Sequence, residues 1–192
     1  MRVSRVQAAE NRETVINVAS RLFRERGFDG IGLKDLMKGA GLTQGAFYKQ
    51  FASKEDLAAQ ASRRAMESAN DRWSAATGSK PEDPLGAVIG FYLSMDHRGE
   101  RTDGCPIVAL GSDVARQGVD VKASFEDGVR QHLEILGGFI PQADGEEATA
   151  KAMAILSTMV GALTLARVVN DPHLAQALLD AATDQIRETA GA

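Results

Sequence analysis

Residues Leu33 to Gln50 read LKDLMKGAGLTQGAFYKQ. Leu33, Leu36 and Met37 share one face of a short helix expected over 33–40. Gly41 and Leu42 make a tight break, and Thr43 stands where a hydroxyl caps the next helix, expected over about 44–50. Helix, short glycine-containing turn, helix is the layout of a helix-turn-helix. In such a unit the second helix enters the major groove, where exposed side chains reach base edges and flanking groups hold phosphates. The small residues Gly45 and Ala46 allow close approach to a duplex, and Phe47 is expected to point inward onto the chain's first helix.

Working outward, Val15, Val18, Ala19, Leu22 and Phe23 form one apolar stripe, which predicts a helix over 12–26. Gly27 follows, suited to a left-handed end. Ser53 with Asp56 three residues on nearly matches a capping box and opens a fourth helix over 54–76, which holds Trp73. Residues 77–84 are rich in turn formers. Further helices are expected over 85–97, from Thr102 or Asp103 as cap to about Gln117 with Pro106 in the first turn, and over 120–139. A break follows from Pro141 to Gly145, then helices over 146–169 and 172–189. The fold class is all-α with about nine helices: a helix-turn-helix domain over 1–53 and a helical ligand-binding and dimerisation domain over 54–192.

The 192 residues carry a net charge of −4. Residues 1–57 hold ten Lys/Arg against seven Asp/Glu, so the head is basic and the remaining body acidic. That polarity suits a head that meets a polyanion. No apolar run of bilayer length is evident, and the basic start lacks the apolar segment of a signal peptide, so a soluble cytoplasmic protein without membrane contact is expected. One cysteine, Cys105, excludes an internal disulfide framework and a thiolate-rich zinc site. His97, His132 and His173 lack metal-ligand spacing, and neither a nucleophile elbow nor a phosphate loop is found, so no metal, cofactor or enzyme activity is expected.

The segment Arg12 to Phe51 resembles the DNA-binding domain of the TetR (tetracycline-repressor) family. Arg12, Val15, Ile16, Ala19, Leu22, Phe23, Gly27 and Phe28 carry the likeness in the first helix. Leu36, Ala40, Gly41 and Leu42 continue it, then Gly45, Ala46, Phe47, Tyr48 and Phe51, and Ser53-Lys54-Glu55 opens the fourth helix. Two departures stand out. Ile31 and Gly32 replace the hydroxyl residues that usually lead into the second helix. Gln50, after Lys49, replaces the usual aromatic or His before Phe51. Gln44 and Lys49 are the candidates for base contact, and Tyr48 and Lys54 for phosphate. Gln50 can read adenine or touch phosphate, Gly45 and Ala46 line the approach, and Lys34 with Lys38 adds general electrostatic attraction.

The resemblance also implies a ligand cavity in the body and a homodimer formed by the last two helices. Composition points the same way: Ile155 to Ala166 is apolar on several faces and must be covered, by a second copy of the chain or by the monomer itself. The cavity candidates are Trp73, Phe91, Tyr92, Met95, Ile107, Leu110, Phe125, Leu133 and Met159, each of which equally suits core packing. The implied partners are operator DNA, a second copy and a small-molecule effector, with repression relieved by that effector. Cys105, at a helix start near Arg98 and Arg101, is either a redox or electrophile sensor or an inert buried thiol. Two other classes stay open at this point: a thiol-dependent helical enzyme centred on Cys105, and a helical adaptor without DNA binding.

Overall fold

The computed structural model describes residues 4–140 and 145–191; the break expected from Pro141 lies outside them apart from Gly145. Among the described residues there are ten helices and no strand: α1 (Arg5–Arg26), α2 (Leu33–Gly39), α3 (Gln44–Phe47), α4 (Lys54–Ser79), α5 (Pro84–Tyr92), α6 (Met95–Gly99), α7 (Pro106–Val114), α8 (Val119–Gly137), α9 (Gly145–Val168) and α10 (Pro172–Ala190). The all-α class holds. Two compact units are present, one from Met1–Glu67 and Arg101–Glu126, the other from Ser68–Glu100 and Asp127–Ala192.

In the first unit α1 starts earlier than its apolar stripe. Ser4 accepts from the Gln7 amide at 3.1 Å and opens an exposed first turn, where even Val6 stands in solvent, so it lies outside the apolar stripe. The core of this unit gathers Val15, Ile16, Ala19 and Phe23 of α1, Leu36 and Met37 of α2, Phe47, Phe51, and Leu57, Ala58 and Ala61 of α4. Leu110 and Val114 of α7, with Val121 and Phe125 of α8, belong to the same core. Ser53 caps α4 by accepting the Asp56 amide at 3.0 Å. Asp56 reaches back to the Ala52 amide at 3.0 Å, one residue before the usual place in a capping box.

Three helix limits in the sequence reading are corrected. The single helix expected over 85–97 is two, because the Ser94 hydroxyl accepts the His97 amide at 3.1 Å and donates to the Phe91 carbonyl at 2.9 Å. A serine that serves one helix end and the next start favours a break over continuation. The cap of α7 is Cys105, not Thr102 or Asp103, since the Asp103 carboxylate is taken by Arg21 at 3.0 Å and by the Thr102 hydroxyl at 2.8 Å. Finally α7 stops at Val114, and Arg116 and Gln117 close turns on the Asp113 and Val114 carbonyls.

In the second unit α9 packs against α10, and also against α5 and α6; Ala152, Ile155, Met159, Leu163 and Ala166 are buried on α9, and Ala175, Leu179, Ala182 and Ile186 on α10. Two arginines tie α6 to the end of α9 reciprocally. Arg98 donates to the Ala166 and Val169 carbonyls (2.6 and 2.9 Å), and Arg167 donates to the His97 and Glu100 carbonyls (2.9 and 2.7 Å). Each cation therefore satisfies carbonyls that a helix end leaves open. One correction concerns hydropathy: α9 is, by length and composition alone, apolar enough to cross a bilayer, with a window of mean hydropathy 1.4. Its Met153, Leu165 and Val168 are exposed while its other face is buried against α10.

Candidate nucleic-acid interface

The turn of the helix-turn-helix is built by backbone chemistry. The Leu42 amide donates to the Met37 carbonyl (2.9 Å) and the Gly41 amide to the Lys38 carbonyl (3.0 Å), with Gly41 at φ +70°. This is a Schellman closure, and only a residue without a β-carbon takes that conformation without strain. α3 is shorter than the expected 44–50: it ends at Phe47, and residues 48–50 continue as turns, with the Gln50 and Phe51 amides on the Phe47 carbonyl. Thr43 stands at the cap position, but its side chain makes no capping bond.

Burial sorts the seven residues by role. Phe47 is 0% exposed, stacked on Phe51 with ring centroids 5.4 Å apart. Tyr48, its neighbour, is 68% exposed and meets Phe47 edge-on at 5.3 Å. Gln44, Gly45 and Lys49 are exposed, and Ala46 is half-buried against the core. A β-carbon at Gly45 would meet nothing within 4 Å, so that surface is open. Among the described residues no ion pair involves Lys34, Lys38 or Lys49, and all three are exposed. Gln50 differs: it is half-buried, and its Oε1 is buried without a hydrogen-bond partner. Lys54 is also not a simple surface cation, since its Nζ donates to the Phe28 carbonyl at 2.5 Å.

The missing hydroxyl before α2 has a structural explanation. Ile31 is buried in the core, and Gly32 takes the cap position with no side-chain bond. An apolar anchor replaces a polar cap. Beside α2–α3, Arg12 bonds Gln60 and lies over the Phe51 ring at 5.3 Å, which fastens α1 to α4 behind the exposed helix.

The cavity candidates separate into two groups. Ile107, Leu110 and Phe125 pack in the core of the first unit together with the helix-turn-helix, and Cys105 is buried at the start of α7 in that unit. Trp73, Phe91, Tyr92, Met95 and Met159 lie in the second unit, where Trp73, Tyr92 and Met159 are buried. Leu133 borders a surface hollow of about 410 Å³ with Arg130, Glu134 and Met153.

Two histidines that appeared scattered join the aromatic group. His132 lies edge-on to Trp73 at 4.2 Å, and His97 stacks on Phe91 at 5.2 Å and meets Tyr92 at 4.8 Å. Each imidazole holds a backbone carbonyl through Nδ1, that of Gly128 at 2.7 Å and that of Tyr92 at 2.8 Å. Arg72 lies over the Phe91 ring at 4.6 Å and pairs with both Glu100 oxygens at 2.6 and 2.7 Å. Sequence reading missed this pair, because 28 residues separate the partners and neither belongs to a motif.

Residues 15–61 match the family described as bacterial regulatory proteins, tetR family. That span takes in α2, α3 and every exposed residue described above on the reading helix. The likeness to this family is carried by that segment.

Among curated relatives, the HTH-type transcriptional repressor NemR of Escherichia coli K12 is 25% identical over 130 residues, which is 66% of this chain and 65% of NemR. The HTH-type transcriptional regulator TtgR of Pseudomonas putida is 35% identical over 96 residues, 50% of this chain and 45% of TtgR. The chain thus aligns with less than two thirds of either relative. The fold likeness runs further. The crystal structure of reduced E. coli NemR superposes with a TM-score of 0.78 at 20% identity, covering 93% of this chain and 96% of that one. A TetR regulator from Chloroflexus aurantiacus gives 0.76 at 24% identity, with 95% of each chain covered.

The aromatic group is expected to make the stability of this chain pH-dependent. Burial lowers the proton affinity of both His97 and His132, even though their backbone hydrogen bonds act the other way. Unfolded, each titrates near about 6.5. The folded chain therefore binds fewer protons below that value, and stability is complete above it and falls as pH drops toward the depressed folded values. Urea unfolding between pH 7.5 and 5 should show this loss, at up to about 1.4 kcal/mol per pH unit for each histidine. His132→Phe should flatten part of it; an unchanged pH profile in that variant would exclude His132 as a source.

Proposed function

We propose that this protein is a dimeric transcriptional regulator that binds operator DNA through α3 and is released by a small-molecule effector. The observation that carries the reading is the split between Phe47, sealed in the core, and Gln44, Tyr48 and Lys49, which stand in solvent on α3 and the turn that follows it. A helix held by one buried aromatic and presenting a polar, cationic edge suits insertion into a major groove. Gln44 and Lys49 reach base edges, Gly45 and Ala46 allow approach, and Tyr48 holds phosphate. Lys34 and Gln50 flank them, and Lys54 adds positive charge at the start of α4.

Met153, Leu165 and Val168 of α9 and Leu174 of α10 leave an apolar face uncovered on the monomer. A second copy covers it by a twofold bundle of α9 and α10, and a twofold assembly brings two reading helices to successive major grooves about 34 Å apart. The effector is a small apolar or electrophilic molecule taken up among the aromatic residues around Trp73 and Tyr92 or at Cys105. It acts by binding better to a state whose reading helices do not match the grooves. Repression, as in the name of NemR, and a cytoplasmic site of action go with this reading.

A mobility shift with the duplex upstream of the protein's own coding region tests it. Lys49→Ala and Tyr48→Ala should each weaken binding, and loss of the Lys49 cation facing the duplex should also shallow the salt dependence by about one unit, whereas Tyr48→Ala should leave the slope unchanged. Both variants should keep their helix content. If neither weakens the shift, α3 is not the reading helix.

A further inference from the structure

The C-terminal end of α1 is fastened to α7 at two points, one on each side of Gly27. Before it, the Arg24 side chain is 3% exposed and donates Nη1 to the Gly104 carbonyl at 3.1 Å, just ahead of Cys105 and α7. Its other nitrogens hold the Ser20 carbonyl and hydroxyl at 3.1 and 3.3 Å. After Gly27, Asp113 in the last turn of α7 accepts the Phe28 amide through Oδ2 at 3.3 Å, while its Oδ1 pairs with Arg116 at 2.5 Å. Gly27 lies at φ +76°, and a β-carbon there would stand 2.6 Å from Asp113 Oδ2, so a side chain at this position would strain the backbone and displace the Asp113 carboxylate. The Phe28 peptide is held from both directions, its amide by α7 and its carbonyl by Lys54 of α4. Its ring packs on Phe23 at 5.1 Å in the core that also holds Leu110 and Val114.

From Phe28 the chain passes through the buried Ile31 directly into α2. The attitude of the helix-turn-helix is therefore set where α1, α4 and α7 converge. We propose that this joint controls DNA affinity, with Arg24 and Asp113 as its positioning residues and α7 as the element that opens it. Neither residue touches DNA. A displacement of α7 by the length of a hydrogen bond leaves a buried cation without the Gly104 carbonyl and a backbone amide without its acceptor. Both losses favour a discrete second arrangement over a gradual drift. The proposal rests on the DNA-binding reading above.

The test uses the full chain and a fluorescein-labelled duplex from the region upstream of its coding sequence, titrated at several salt concentrations. Asp113→Ala should lower affinity at least about tenfold while leaving the salt slope unchanged, because no phosphate contact is lost. Asp113→Asn, which keeps an oxygen acceptor for the Phe28 amide, should restore binding to within about threefold of the parent. Arg24→Met should weaken binding as Asp113→Ala does, and the double variant should lose less than the product of the two, since one joint is opened twice. Lys49→Ala serves as the contrast, with a shallower salt slope.

A folded Asp113→Ala that binds within about twofold of the parent overturns the joint, as does an Asp113→Asn no better than Asp113→Ala. If Asp113→Ala does not fold, hydrogen exchange of the Phe28 amide in the parent decides. Slower exchange with duplex bound supports the joint, and no change overturns it. A parent that binds no duplex overturns the DNA reading itself. A weakened Lys49→Ala beside unaffected Asp113 and Arg24 variants removes the joint alone.

Discussion

Phe47→Ala is expected to unfold the helix-turn-helix, or to bring it close to unfolding, while Tyr48→Ala leaves it standing. Phe47 is sealed from solvent and stacked on Phe51 at 5.4 Å, in a core that also holds Leu36, Met37 and Leu57. Removing such a ring costs about 3–5 kcal/mol, from lost burial and from the cavity it leaves. A domain of ordinary stability has about 5–15 kcal/mol in all, so the loss is a large share. α3 has little else to hold it: it is four residues long, far below the length at which a helix persists alone, and its cap lacks a side-chain bond. Urea unfolding followed by circular dichroism gives the measurement. DNA binding should vanish in Phe47→Ala because the helix is lost, and weaken in Tyr48→Ala because a contact is lost. A Phe47→Ala protein within about 1 kcal/mol of the parent would show that the helix is not built on this ring.

The second large effect is expected at the uncovered face of α9. Leu165 is 51% exposed on the monomer, on a helix whose opposite side is filled by α10. If a second copy covers it, Leu165→Arg places a charge in an apolar interface without a partner. The dimer should then weaken at least about a hundredfold. Each monomer should keep its helix content, because the substitution leaves the α9–α10 core untouched. Light scattering after size exclusion reads the change in mass directly, and DNA affinity should fall with it, since two half-sites are no longer linked. A Leu165→Arg protein that remains dimeric would place the interface elsewhere, and a parent that is monomeric would remove the twofold reading.

Much of the head was legible in sequence for a local reason. The stripe from Val15 to Phe23, the Gly41 turn and the Ser53 cap each depend on residues within one or two turns of one another, and the structure bears them out. Phe47 was placed inward from its position between small and polar neighbours, and it is buried. The limits of α3 were less legible, because a helix end depends on which carbonyls the following turn takes up. The split of 85–97 has the same origin: Ser94 could sit in a continuing helix, and the structure uses its hydroxyl as a cap instead.

The helices after α4 were legible as apolar elements but not as a site. Ile107, Leu110 and Phe125 are apolar like Phe91 and Met159, yet the first three join the core beneath the helix-turn-helix and the other two do not. The reason is that periodicity identifies the buried face of a helix but says nothing about which neighbour buries it. The histidines show the same limit. No spacing rule links His132 to Trp73, and only the packing brings their rings to 4.2 Å.

What the chain's order of residues determined by itself is the helical class, the helix-turn-helix layout and the inward turn of Phe47, because hydropathy period, glycine turns and caps act over a few residues. Tertiary structure alone decided that α7 shares a core with the helix-turn-helix, that Arg24 and Asp113 meet the two sides of Gly27, and that Lys54 holds the Phe28 carbonyl. Those contacts join residues 26 to 85 positions apart. Their energy comes from burial and hydrogen-bond geometry that exist only once the helices have packed.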